Sequence, residues 1–218
     1  MVQLIIVDDS VIIQNTLEYI LKDKTVYNVL FKASNGLEAI KLLNSTKAKP
    51  TIAIVDINMP VIDGVSFTQY VANKYKDISI IGFSVHDHVE AFSAILEAGA
   101  KGFIIKENVA LLPEAIIVVQ NGKTFIDPSL ITKWEIYQKN KALKLNIAPS
   151  VKFNEKQIEY LILAPTDLTA KELASITNQS THTINQHKKD VKKKTGVSTR
   201  TAQAFYAFKV GIIKTFKL

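Results

Sequence analysis

Five short apolar runs rich in β-branched residues constrain the first half of this chain most. They read VQLIIV from Val2, VYNVLFKA from Val26, TIAIV from Thr51, ISIIGFS from Ile78 and GFII from Gly102. Each is followed by a segment whose apolar residues recur at helical spacing: SVIIQNTLEYILKD, NGLEAIKLL, SFTQYVANKYK, HVEAFSAILEAGA and VALLPEAIIVVQNG. Strands that are nearly continuous in apolar residues are buried on both faces. Helices interleaved one for one with such strands cover both sides of a parallel sheet. The expected fold is therefore α/β, a (βα)5 doubly wound parallel sheet. In such a sheet ligands collect at the carboxyl ends of the strands.

Those ends carry chemistry. The first strand runs into Asp8 and Asp9, the third into Asp56, the fourth into Ser84 and the fifth into Lys106. A carboxylate is poorly suited to burial unless it is paired or used. Three of them together raise one another's pKa, and a hard divalent cation held by oxygen atoms relieves that repulsion. Mg²⁺ suits a site that keeps waters and accepts a phosphoryl oxygen. A lysine and a hydroxyl beside it complete a cradle for a phosphoryl group. His86 and His88 on the loop after the fourth strand have no third ligand near them in sequence beyond Asp87, and they read as exposed polar residues.

The second half loses the strands and changes sign. Residues 1–127 carry a formal charge of −3 and residues 128–218 carry +10, which together give the net +7 of the whole chain. A mildly acidic domain joined to a strongly basic one indicates a polyanion as partner of the second. The expected division is a first domain over 1–122, a linker with a helix over 123–152, and a small all-α domain over 153–218. Four short helical patterns fill that last part. In the third, Ser180 is a suitable N-cap, and Ile184, His187 and Val191 fall on one face. His182, Asn185, Gln186, Lys189 and Lys193 fall on the opposite face. Amides and lysines backed by an apolar seam are what a helix needs to lie in a DNA major groove.

At these residues the chain resembles known families. VDD at Asp8 and Asp9, DINMPVIDG from Asp56, Ser84 and GFIIK ending at Lys106 are similar to the motifs of response-regulator receiver domains. The resemblance spans about residues 1–122. It implies that Asp56 is a phosphoacceptor, that Asp8, Asp9, Asp56 and the Asn58 carbonyl hold Mg²⁺, and that Lys106 and Ser84 assist. It also implies that Ser84 and Phe103 act as a switch pair. The stretch 153–213 resembles the LuxR-type helix-turn-helix domain through KELA, Ser180, TINQH, KKKTGV and Arg200. By position, contacts to DNA then fall on Asn185, Gln186, Lys188, Lys189, Lys192 and Lys193. Gln157 stands where that family carries a glutamate paired with the arginine, and Thr177 and Gln179 stand where it carries aliphatic residues. The whole is similar to a NarL/FixJ-type regulator, which implies a partner sensor histidine kinase, double-stranded DNA and an active homodimer. Such a protein is a phosphoacceptor with autodephosphorylation at most, and no enzyme acting on an external substrate.

Other classes are narrowed by what the sequence lacks. It holds no cysteine, so disulfides and cysteine-ligated zinc are excluded. No run of apolar residues is long enough for a membrane span, and no secretory leader is visible, so a cytoplasmic protein is expected. Neither a dinucleotide-binding glycine fingerprint nor a P-loop occurs. Two further readings stay open at this point. One is a phosphatase or phosphotransferase using the aspartates on an external substrate, and the other is a scaffold whose second domain binds protein or RNA.

Overall fold

The computed structural model describes residues 1–23, 25–85, 87–142 and 151–214, and the chain divides into two compact units, Met1–Lys144 and Leu145–Leu218. In the first unit, β1 (Val2–Val7), β2 (Tyr27–Ala33), β3 (Ile52–Val55), β4 (Ser79–Ser84), β5 (Gly102–Ile105) and β6 (Phe125–Ile126) form one parallel sheet in the order β2-β1-β3-β4-β5-β6. The reversal of order at β1 makes the sheet doubly wound, with helices on each face. Between the strands lie α1 (Val11–Ile20), α2 (Gly36–Ser45), α3 (Gly64–Lys74), α4 (Val89–Ala98) and α5 (Leu112–Gln120).

Alternate residues of the central strands feed two cores. Leu4, Ile6, Ile54, Ile81, Phe83 and Ile104 pack with Leu17 of α1 and with Leu112, Ile116 and Val119 of α5. Their neighbours in the strands, including Ile5, Val55, Ile80 and Phe103, are equally buried, as are Ile40 of α2, Phe67 of α3 and Phe92 and Ile95 of α4. This double burial is why the strands show no alternation in sequence.

Local signals set the helix starts. Ser10, Asn35 and Asp63 each accept a hydrogen bond from a backbone N–H one turn on, capping α1, α2 and α3. Gly64 is required by proximity, because a Cβ there would lie 1.9 Å from the Asp56 carbonyl oxygen. That close approach seats the start of α3 directly beneath the end of β3.

The first unit is longer than the sequence patterns indicate. Residues 123–142, expected as linker with a helix, instead complete it. Phe125 and Ile126 pair with Gly102 and Phe103 to make a sixth strand. A single 3₁₀ turn (Pro128–Leu130) leads into α6 (Ile131–Ala142), which lies against α4. The Trp134 ring meets Phe92 at 6.0 Å and stacks on Tyr137 at 5.6 Å, and Lys133 Nζ lies 2.7 Å from Asp87 Oδ2. The Tyr137 hydroxyl donates to Glu97. Five strands were legible because each is an apolar run, and the helix of α6 was expected within the linker; β6 has only two residues, and the mostly polar α6 gives no sign of what it packs against. Residues 143–150 of the expected linker lie outside those described.

The second unit contains α7 (Glu155–Leu163), α8 (Ala170–Thr177), α9 (Thr181–Thr195) and α10 (Arg200–Lys209). Capping boxes at Asn154/Gln157 and Thr169/Glu172 start α7 and α8, and Ser180 and Thr199 cap α9 and α10. Asn178 in the left-handed conformation ends α8 and turns the chain into α9.

Candidate functional site

Parallel register delivers the strand ends to one edge. Val7 is level with Val55, Gly82 and Phe103, so Asp8 and Asp56 leave β1 and β3 at the same height, with Ser84 one residue and Lys106 two residues further along their own strands. Oxygen atoms of Asp8, Asp9 and Asp56 lie within 4.8 Å of one another. Lys106 Nζ enters the cluster, 2.7 Å from Asp8 Oδ2 and 3.3 Å from Asp56 Oδ1. Its side chain is 12% exposed and those of Asp8 and Asp56 1% and 8%, so these charges meet with little water to screen them. Burial pushes the Asp56 carboxyl up from its usual range; Lys106 opposes that shift and the nearby Asp8 charge adds to it.

The donor set fits a hard cation. Three carboxylates converge, two of them buried, and among the described residues Lys106 is the cation shown pairing with them. All the donors are oxygens, the ligand type that Mg²⁺ and Ca²⁺ prefer. Asn58 sits exposed on the loop just past Asp56.

Supporting groups hold Asp8 in place. Its Oδ1 accepts from the Ser10 amide at 2.9 Å. Gln14 Nε2 donates to the Asp8 carbonyl at 2.7 Å and to the Ala33 carbonyl at 3.2 Å, tying β1 to β2 beside the cluster. Gln14 was not singled out in the sequence. The available signal is a polar side chain on the face of α1 that carries Leu17 and Leu21 inward.

Ser84 and Phe103 are both fully buried. The Phe103 ring packs against Phe92 at 5.7 Å, and a Cβ at Gly82 would come within 2.8 Å of it, so Gly82 makes the room that ring occupies. His88 is largely exposed and lies 3.8 Å from Asp87; His86 lies outside the described residues.

In the second unit α9 divides as its periodicity indicates. Ile184, His187 and Val191 are buried, while Asn185, Lys188, Lys189, Lys192 and Lys193 are exposed. Gln186 is half-buried, and its amide donates to Asp190 at 2.7 Å on the same helix. Gln179, His187 and Thr177 find partners within the unit. Gln179 Oε1 lies 2.8 Å from His187 Nε2, and the Thr177 hydroxyl donates to the Leu173 carbonyl at 2.7 Å. Burial is the main reason His187 titrates below its usual value; Asp190 and Glu159 oppose that and Lys156 adds to it. Tyr160 donates to Gln203 at 3.0 Å, and burial pushes its hydroxyl up to about 12, with Arg200 opposing.

Arg200, the chain's only arginine, donates to the carbonyls of Leu168, Thr166 and Leu163 at 2.6, 3.2 and 3.4 Å. Those bonds pin the turn between α7 and α8. Gln157, at the position the resemblance gives to a glutamate, caps α7 and accepts from Lys194 at 2.9 Å. The arginine's role in fixing the domain is thus met by backbone carbonyls.

Comparison with known proteins matches this geometry. The family model for the response regulator receiver domain covers residues 4–117. The transcriptional regulatory protein DegU of Brevibacillus brevis is 25% identical over 228 residues, covering 98% of this chain and 95% of the relative. The transcriptional regulatory protein LnrK of Bacillus subtilis is 26% identical, covering 97% and 99%. Among solved structures, the RcsB response regulator of Salmonella typhimurium aligns with a TM-score of 0.58 at 25% identity over 94% of this chain and 98% of that one. The RcsB–DNA complex aligns with a TM-score of 0.57 at 25% identity over 96% and 98%. With its receiver fold, its acidic edge and its basic helical unit on one chain, this protein belongs to the response-regulator family of two-component systems.

Proposed function

We propose that Asp56 is the phosphoacceptor of a cytoplasmic regulator, taking its phosphoryl group from a phosphohistidine of a partner sensor kinase and thereby controlling how the second unit binds double-stranded DNA. The carrying observation is Lys106 Nζ set between Asp8 and Asp56 at the carboxyl edge of the sheet. A carboxylate oxygen of Asp56 attacks phosphorus; the new O–P bond gives an acyl phosphate. The bond from phosphorus to the donor breaks, and the leaving imidazole keeps the electron pair and takes a proton from solvent. Lys106 balances the charge spread over the phosphoryl oxygens. Mg²⁺, held by Asp8, Asp9, Asp56 and the Asn58 carbonyl, supplies further neutralisation when bound.

Phosphoryl oxygens on Asp56 attract the Ser84 hydroxyl and draw on the end of β4. Phe103 is already buried, so that pull is felt as repacking around Gly82 and Phe92 rather than as burial of an exposed ring. A differential affinity of ~1.4 kcal/mol between two arrangements changes their ratio tenfold.

The DNA half of the proposal is supported by the exposed row Lys188, Lys189, Lys192 and Lys193 on a capped α9. It is supported too by similarity to a solved RcsB–DNA complex and to RcsB dimers bound to DNA. Joining two such units as a homodimer raises affinity, because one short helix reads few base pairs.

The test uses acetyl phosphate with Mg²⁺ on wild type and Asp56→Asn, followed by selection from a pool of random duplexes. Wild type is expected to gain one labile phosphate, the variant none, and phosphorylated wild type to enrich a related set of duplexes. Stable uptake by Asp56→Asn at equal stoichiometry refutes the phosphoacceptor assignment. A pool that shows no enrichment refutes sequence-specific DNA binding.

A further inference from the structure

Asp127 is a buried acid that the mechanism above does not use. It follows β6, lies beyond the residues matched by the receiver family model, and is 0% exposed. Its carboxylate accepts from the Ser129 amide at 3.0 Å and the Ser129 hydroxyl at 2.7 Å. Those two bonds cap the short turn at Pro128 and need neither burial nor a distant partner.

The remaining bonds reach across the fold. The Ile105 amide donates to Asp127 Oδ2 at 3.1 Å, and Asn108 Nδ2 lies 3.0 and 3.1 Å from the two oxygens. Ile105 immediately precedes Lys106, and Asn108 follows it by two. One carboxylate therefore holds the backbone amide just before, and the side-chain amide two residues after, the lysine that enters the aspartate cluster. Asn108 also leaves helical geometry inside the 3₁₀ segment Lys106–Leu111, at φ −98° and ψ 30°. Burial alone would raise the Asp127 carboxyl; its bonds from Ser129, Asn108 and Ile105 outweigh that and hold it below the usual range.

We infer that Asp127 is a positioning residue for phosphoryl transfer: by clamping Ile105 and Asn108 it fixes the point from which Lys106 presents its ammonium to Asp8 and Asp56. The inference rests on the reading of Asp56 as phosphoacceptor. Lysine is a flexible stem bearing a compact charge, so its aim depends on where its backbone is held. An ionised carboxylate accepts at every lone pair. Asparagine at 127 would turn an NH₂ toward donors that need acceptors.

The experiment is a mutant cycle in the full-length chain: wild type, Asp127→Asn, Lys106→Ala and both together. Initial rates of phosphoprotein formation are followed by intact mass at saturating Mg²⁺ across acetyl phosphate concentrations. Outer groups that orient a reacting side chain are commonly worth about tenfold, so Asp127→Asn is expected to lower the maximal rate by about that factor with little change in half-saturating donor. In the Lys106→Ala background the same change should cost nothing more, because its effect runs through the lysine. Equal fold-losses in both backgrounds overturn the inference and mark Asp127 as a support of the fold alone. An unchanged rate in Asp127→Asn overturns it as well. If wild type takes up no phosphate, the phosphoacceptor reading falls and this inference with it; uptake with additive losses removes only the role of Asp127. Should Asp127→Asn lose its native circular dichroism, the exchanged pair Asp127→Asn with Asn108→Asp keeps a donor and an acceptor between those positions. Its rate should then exceed that of Asn108→Asp alone, and a rate no higher overturns the inference.

Discussion

Val61 shows how much strain the loop after Asp56 holds. It is a β-branched residue at φ 68°, half exposed, and the Ile62 amide behind it donates to the Pro60 carbonyl at 2.8 Å. A bond spanning three residues with positive φ at the centre is a γ-turn of the rarer, strained kind. The next carbonyl, that of Ile62, accepts from the Gly36 amide at 3.0 Å, so the turn is tied to the start of α2 and cannot relax alone. Left-handed backbone costs a residue with a Cβ about 1–2 kcal/mol, and glycine gives part of that back in unfolded-chain entropy. Val61→Gly is therefore expected to raise the stability of the chain by about 0.5–1 kcal/mol, read as a higher urea midpoint at unchanged slope. A lower midpoint would show that the Val61 side chain contributes packing that outweighs the strain. Residues of this kind were only half legible in the sequence. Asp8, Asp9, Asp56 and Lys106 announce themselves as charges ending apolar runs. Gln14 and Asp127 look like a helix polar and a turn cap, because their distant partners, Ala33 and Ile105, become neighbours only when the sheet forms.

Elements followed the same division. Strands β1 to β5 were legible because both faces are buried and leave an apolar run, and a helix was expected where α6 lies; β6 and the docking of α6 depend on what they meet. α6 exposes Ile131 and Ile136 to solvent and meets α4 through Trp134, Tyr137 and Lys133. No apolar periodicity reveals such a contact. Phe92 is its centre, fully buried between the Phe103 ring on β5 and the Trp134 ring on α6. Truncating a buried phenylalanine costs about 3–5 kcal/mol, part transfer and part cavity. Phe92→Ala should destabilise the first unit by about that amount. Because Trp134 is the chain's only tryptophan, the local effect can be read separately: its emission should move to longer wavelength as water reaches the α4 side of the ring. Lower stability with unchanged emission would mean that α6 holds its place through the Lys133 and Tyr137 bonds without the aromatic contact.

Across the whole molecule, charge is sorted by task. The −3 of residues 1–127 includes the acids that gather at the sheet edge, whereas the +10 of residues 128–218 has no comparable cluster of acids to neutralise it among the described residues. α9 concentrates the positive charge where it is most exposed, at Lys188, Lys189, Lys192 and Lys193, with Asp190 occupied by Gln186. Each lysine that neutralises a DNA phosphate releases a condensed counterion and contributes about 0.9 to the slope of log affinity against log salt. If all four meet phosphates, binding of the full chain to duplex DNA should fall with a slope of about −3.6 or steeper. Lys192→Ala with Lys193→Ala should reduce that magnitude by about 1.8 and weaken binding to unrelated duplexes by a similar factor, since phosphates carry no base identity. Neither lysine side chain caps a helix or fills a core, so circular dichroism should not change. A slope that stays the same in the double variant would place the C-terminal end of α9 away from the DNA and leave its lysines as solvated surface charge.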